Sequence, residues 1–280
     1  MFNLFRKKIG ILGYGNMGSA IAEGIKARYA VCVFDKEKSK ITGLKGIAST
    51  DSSRGLVELN EVIILAIKPQ DFDILLNEVK YFLQDKLVIS IAAGVTTGYL
   101  EEILGQTRVI RVMPNLAVSI AEGETCICKG RYAKAGDLWF TKGLFKILGK
   151  VWELKEEKLN AATAISGSGP AYILLDMEIN KIDPLRIPLR FEKVWIHNLH
   201  EAALAVGINP KIAQDLSAST TTSTIHLAKH AGNSPAELRK LITSPGGTTE
   251  AALKVITDGG SWPQAALAAK KRAQELSKRG

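Results

Sequence analysis

Lys8-Ile9-Gly10-Ile11-Leu12-Gly13-Tyr14-Gly15-Asn16-Met17-Gly18 is the stretch that decides the fold. A short apolar run breaks into glycines, after which Met17, Ala20, Ile21, Gly24 and Ile25 recur at helical spacing. A strand that turns tightly into a helix through Gly-x-Gly-x-x-Gly is the start of a dinucleotide-binding unit. Gly13 permits the turn, Gly15 lets a pyrophosphate reach the backbone, and Gly18 allows helix and strand to pack closely. Gly13, Gly15, Asn16, Met17 and Gly18 are therefore candidate cofactor contacts. The bland alternative, a glycine-rich turn with no ligand, lacks a reason for the strand and the amphipathic helix on either side.

Working outward, Lys8–Leu12, Ala30–Phe34, Val62–Ile67, Leu87–Ile91 and Val109–Val112 read as buried parallel strands separated by helical patterns. Thr125–Cys128 and Val151–Leu154 are candidate edge strands. This is a Rossmann-type, doubly wound α/β pattern, and it occupies residues 1–155. Beyond Glu156 the strand signal stops. Pro210–His230, Pro235–Ile242, Thr248–Thr257 and Pro263–Lys278 read as helices, with prolines suited to first turns and glycines at the breaks. Residues 156–280 are thus expected to form an all-helical second domain.

The bulk numbers narrow the function classes. At 280 residues, 46% hydrophobic and 23% charged, the chain has the composition of a globular protein of one large domain or two. The net charge of +9 calls for anionic partners, yet no basic run is interleaved with aromatics, so small anions are favoured over nucleic acid. The cluster Lys270, Lys271, Arg272, Lys278 and Arg279 reads as the solvated face of a last helix. Three cysteines, Cys32, Cys126 and Cys128, are too few for a disulfide framework or a four-ligand zinc site. The Cys126 and Cys128 thiols share one strand face and read as packing. With no signal-peptide core after Met1–Lys8 and no stretch of membrane-span length, a cytoplasmic protein with no membrane partner is expected.

Asp35 ends the second strand, 17 positions beyond Gly18, where an acid meets the ribose hydroxyls of a dinucleotide. A carboxylate there repels a 2′-phosphate, which favours NADH. Lys36, Lys38 and Lys40 follow at once and leave NADPH open, because a phosphate would suit them.

Two further motifs are sharper: Ile165-Ser166-Gly167-Ser168-Gly169-Pro170-Ala171-Tyr172 and Thr243-Ser244-Pro245-Gly246-Gly247-Thr248-Thr249-Glu250. Each puts small residues where backbone must approach another group and then opens a helix. Together with Gly13–Gly18 they resemble the pyrroline-5-carboxylate reductase family. The resemblance implies hydride transfer from NADPH or NADH to the imine carbon of 1-pyrroline-5-carboxylate, with a proton to the ring nitrogen. It places Thr249 beside that nitrogen as its hydrogen-bond partner and proton relay. The substrate's carboxylate suits the helix N-terminus at Ser244, Gly246, Gly247 and Thr248. Ala66-Ile67-Lys68-Pro69-Gln70 resembles the segment that lines the nicotinamide, which marks Ala66, Lys68 and Pro69 as cofactor contacts, beside Lys36 as a candidate for a phosphate. Ala92-Ala93-Gly94 and Arg111-Val112-Met113-Pro114-Asn115 match further segments by type and order, adding Ala93, Gly94 and Asn115. The family's stretch after the second strand is Asn-Arg-Ser-like and favours NADPH; Asp35 departs from it toward NADH. Relatives form homodimers through the helical domain, some assembling into rings of dimers.

In that family the helix begun by Gly169-Pro170 runs on without interruption. Here residues 180–199, carrying Pro184, Pro188, Lys181, Arg186, Arg190 and Lys193, read as an insertion on the surface, with Ile179 and His200 as the two ends of a split helix. Ser217–Thr224 is rich in hydroxyls, some of which should face the substrate pocket or a neighbouring backbone. His226 and His230 share a helix face but lack a third ligand for a metal, and His197 and His200 suggest no chemistry. Two alternatives remain. A related imine or β-hydroxyacid reductase would need a catalytic lysine in the helical domain. A nucleotide-binding dimer inactivated by the 180–199 stretch would bind cofactor without turnover.

Overall fold

A computed structural model describes residues 6–68 and 71–277. Pro69, Gln70, Lys278 and Arg279, all named above, lie outside them. Eight strands form one sheet: β1 (Lys8–Leu12), β2 (Ala30–Phe34), β3 (Ala48–Ser49), β4 (Val62–Leu65), β5 (Leu87–Ser90), β6 (Arg108–Met113), β7 (Gly123–Lys129) and β8 (Gly149–Glu153), in the order β3-β2-β1-β4-β5-β6-β7-β8. The pairs from β3 to β6 are parallel, β7 runs antiparallel to β6, and β8 is parallel to β7. Chain order reverses at β1 and β4, whose carboxyl ends therefore open a crevice.

Sequence explains the strands. β4 and the Leu87–Ile89 part of β5 are buried apolar runs, as a strand covered on both faces must be. Ile9 and Ile11 pack on one side with Ile21 and Ile25 of α1 (Asn16–Ile25), while Leu12 packs on the other with Leu56 of α2 (Ser53–Leu59). Gly10 leaves room for Leu56 there, since a Cβ would stand 2.4 Å from Leu56 Cδ2. Of the two expected edge strands only β8 is one; β7 is interior, held between β6 and β8. The remaining helices of this half are α3 (Phe72–Val79), α4 (Thr97–Leu104) and α5 (Ala135–Lys146).

The other half is built from α6 (Glu156–Ala162), α7 (Gly169–Ile179), α8 (Leu189–Ala205), α9 (Pro210–His230), α10 (Pro235–Ile242), α11 (Thr248–Thr257) and α12 (Trp262–Ser277), with a π-helical turn at Thr163–Gly167. Arg111, 2% exposed, joins the halves by donating to Glu156 Oε1 at 3.4 Å and Asn160 Oδ1 at 2.8 Å.

Residues 180–199 correct the reading of a surface insertion. Only 180–188 is connection. Both prolines fall in it, with Pro188 at the N-cap of α8, so neither opposes the helix that follows. Residues 189–199 are the first turns of that helix. Trp195 and Leu199 are fully buried, and Trp195 Nε1 donates to Asp176 Oδ2 of α7 at 2.7 Å. Trp195 packs with Ile173, Leu174 and Met177, which makes α7 and α8 two packed helices instead of one split helix.

Candidate active site

The crevice at the β1 and β4 ends is cut for a ligand. Gly13 has φ +101°, and a Cβ there would lie 2.5 Å from the Ala66 carbonyl oxygen. A Cβ on Gly18 would lie 2.1 Å from the Gly13 carbonyl oxygen, whereas one on Gly15 would meet nothing within 4 Å. The first and third glycines thus bring strand and helix together, and the second faces open space. Gly15 is also the N-cap of α1 and offers no side chain to its free N–H groups, which leaves them to an anion. Asp35 sits just past β2, 9% exposed, its carboxylate accepting the Tyr14 N–H at 2.7 Å and the Glu37 N–H at 2.9 Å. These features fit a dinucleotide.

A cavity of about 690 Å³ continues from this crevice to the helical half. From the sheet rim it takes Asn16, Met17, Lys68, Ala93, Gly94 and Asn115; from the helical side it takes Ser244, Gly246, Gly247, Thr248 and Thr249. Two groups of residues more than a hundred positions apart in sequence therefore line one space. Gly13, Gly15, Gly18, Asp35, Lys36 and Ala66 do not line it. Asn16 Nδ2 bridges the two sides by donating to the Leu241 carbonyl at 3.5 Å. Asn115 is pinned from β7, its Oδ1 accepting the Glu124 N–H at 3.0 Å.

The turn before α11 is held from both sides. Gly246 has φ +68°, its N–H donates to Glu250 Oε2 at 2.8 Å, and its carbonyl accepts from Arg272 Nε at 2.7 Å. Gly247 caps α11, so the N–H groups of Thr248 and Thr249 fall in its unpaired first turn. The Thr249 hydroxyl, 5% exposed, donates to Ser168 Oγ at 3.1 Å.

Several lining residues had no signal that sequence reading could use. Asp73 and Tyr99 flank the cavity from α3 and α4, where the Tyr99 hydroxyl bonds Asp73 and its pKa is pushed up to about 12, by burial first and then by Asp73. Arg272 and Lys270 correct the reading of a solvated basic face: Arg272 lines the cavity, and Lys270 Nζ donates to the Val206 carbonyl at 2.9 Å. Leu276 also lines it, packed so close to Gly94 that a Cβ there would be 2.6 Å away. The hydroxyls of α9 turn elsewhere. Ser219 bonds Glu124 and Lys150, Thr224 bonds the Thr220 carbonyl, and among the described residues none of α9 lines the cavity. His226 faces Glu122, with 2.5 Å between Nδ1 and Oε2. Burial pushes the Cys126 and Cys128 thiols up to about 12, as expected of packed cysteines.

Comparison with known proteins follows the same division. The family described as "NADP oxidoreductase coenzyme F420-dependent" matches residues 8–94, and "Pyrroline-5-carboxylate reductase dimerisation" matches residues 191–276, beginning inside the 180–199 stretch. The chain is 32% identical to a pyrroline-5-carboxylate reductase of Methanosarcina acetivorans, over 98% of this chain and 99% of that one. Among solved structures it resembles the Coxiella burnetii pyrroline-5-carboxylate reductase at TM-score 0.64 and 31% identity, covering 97% of this chain and 99% of that one. It also resembles the Plasmodium falciparum enzyme, solved with NADP bound, at TM-score 0.62 and 26% identity, covering 97% and 99%. An identity above 30% along nearly the full length of both chains places this protein in the pyrroline-5-carboxylate reductase family.

Proposed function

We propose that the chain reduces 1-pyrroline-5-carboxylate to proline. The carrying observation is the single cavity whose one wall is the dinucleotide rim and whose other wall is the Ser244–Thr249 turn. Reduced nicotinamide dinucleotide, when bound, supplies the hydride. The N–H groups opening α11, with Ser244, Gly246, Gly247 and Thr248, receive the substrate's carboxylate and so fix which ring carbon faces the donor. Thr249 meets the ring nitrogen. Its hydroxyl is far too weak an acid to act free, so alignment in a dry site carries much of the barrier. A steady-state assay of imine-dependent nucleotide oxidation, with proline identified as product, tests the proposal.

A β-hydroxyacid reductase fits less well, since among the described residues the helical half contributes Arg272 but no lysine to the cavity. The inactive-dimer reading loses its premise once residues 189–199 belong to the core.

NADH is the proposed partner. Lys36, Lys38 and Lys40 each face an acid: Lys36 with Asp71 at 3.4 Å, Lys38 with Asp51 at 2.6 Å and Lys40 with Glu37 at 2.8 Å. A 2′-phosphate would share these exposed lysines with their acids while lying near the Asp35 carboxylate. The relative solved with NADP is the contrary precedent, and a comparison of kcat/KM for the two nucleotides decides.

The match of residues 191–276 to a dimerisation region supports a homodimer, with a ring of dimers as the larger assembly to look for by light scattering. Division of the chain at 155/156 is supported by the end of β8 at Glu153 and the start of α6 at Glu156, and limited proteolysis tests it. Cytoplasmic residence is supported by free, buried Cys32, Cys126 and Cys128, and cell fractionation tests it. No described helix is long and apolar enough to cross a membrane.

A further inference from the structure

The segment Ile165–Tyr172 does more than start a helix. Its approach, Thr163–Gly167, is a π-helical turn in which the Ser168 N–H donates to the Thr163 carbonyl at 2.8 Å. Turns of this kind are rare and cluster at functional sites. Gly169 follows, where a Cβ would stand 2.8 Å from Leu199, and Pro170 gives up an N–H that the first turn of α7 does not need. The combined effect is to seat Ser168 directly beneath the cavity. Ser168 is 0% exposed, and its Oγ lies 3.1 Å from both Thr248 Oγ1 and Thr249 Oγ1.

Hydroxyl counting gives this trio a direction. Each oxygen carries one hydrogen and two lone pairs. Thr249 gives its hydrogen to Ser168, while the Ser168–Thr248 bond can run in either direction. Thr249 is thereby held with a lone pair toward the cavity it lines, where it accepts the N–H of a ring nitrogen that is already protonated. Without Ser168 the Thr249 hydroxyl would rotate among partners.

We propose that Ser168 is a positioning residue for the reaction, fixing by direct hydrogen bond the orientation in which the Thr249 hydroxyl meets the ring nitrogen of a cyclic imine carboxylate. This rests on the role given to Thr249 above, and the test separates the two. Turnover, KM, nucleotide affinity and melting are compared for Ser168→Ala, Ser168→Cys, Thr249→Val and the double variant Ser168→Ala/Thr249→Val. Ser168→Ala is expected to lower kcat about 10-fold with KM and nucleotide affinity within roughly 2-fold, and the double variant to be no slower than Thr249→Val alone. Ser168→Cys, which keeps a weak partner of similar size, is expected to fall between wild type and alanine, and it stands in if the alanine variant does not fold. Full turnover in Ser168→Ala, beside a slowed Thr249→Val, overturns the role of Ser168 alone. Losses that multiply in the double variant overturn it as well, by showing that Ser168 acts apart from Thr249. Full turnover in Thr249→Val removes the catalytic reading of Thr249 first, and the inference with it.

Discussion

Replacing Asp35 with serine perturbs nucleotide binding through two bonds seen in the structure and nucleotide choice through one expected on ligand binding. The carboxylate holds the Tyr14 N–H at 2.7 Å and the Glu37 N–H at 2.9 Å, so it braces the glycine loop whichever nucleotide is present. Loss of that brace weakens NADH and NADPH alike, by about 0.5–1.5 kcal/mol for a backbone hydrogen bond that water can replace. The selective part comes from the ribose. NADH loses a charged hydrogen bond to its 2′-hydroxyl, roughly 1.5–3 kcal/mol, whereas NADPH is relieved of about 1 kcal/mol of repulsion between carboxylate and phosphate. The two effects move the ratio of affinities in the same direction, so Asp35→Ser should shift preference toward NADPH by roughly 10²-fold. Nucleotide fluorescence titration of both cofactors against both proteins measures the shift. Equal loss for NADH and NADPH would refute the reasoning and leave Asp35 as a loop brace only.

Three other outcomes follow from named contacts. Thr249→Val, which keeps shape and removes the hydroxyl, should lower turnover about 10²-fold with nucleotide affinity near wild type, as steady-state kinetics and titration will report. Gly18→Ala puts a methyl 2.1 Å from the Gly13 carbonyl oxygen, and should abolish nucleotide binding while costing about 1–3 kcal/mol in urea unfolding. Trp195→Ala should destabilise the fold by about 3–5 kcal/mol, and deletion of residues 180–199 should remove the cooperative melting transition; a loss below about 1 kcal/mol would return the stretch to the surface.

What the sequence made legible was whatever a local pattern controls. The apolar runs around Ile11, Ile64 and Ile89 are strands because only a covered sheet can hold them, and the bounds of α9, α10 and α11 follow from Pro210, Pro235 and Gly247. β3 escaped because two exposed residues carry no period. Proline misled at residues 180–199: Pro184 and Pro188 mark where a helix cannot be, not where the next one cannot begin, and the buried Trp195 was the better signal. Within the site, residues on the glycine motifs were readable because backbone approach demands glycine. Arg272 was not, since a cation on a final helix looks the same whether it faces water or the Gly246 carbonyl. Nor was the grouping of Ser168 with Thr249, which a π-helical turn and the packing of α7 on α11 bring about across 81 positions of sequence.

The most direct test of the account is the reaction itself: purified chain, 1-pyrroline-5-carboxylate and NADH or NADPH, with nucleotide oxidation followed by absorbance and the product resolved by chromatography. The expected result is oxidation that depends on the imine, proline formed one for one with nucleotide consumed, and loss of about 10²-fold in Thr249→Val. Binding of either nucleotide without proline formation, in a chain that is folded and dimeric, would contradict it.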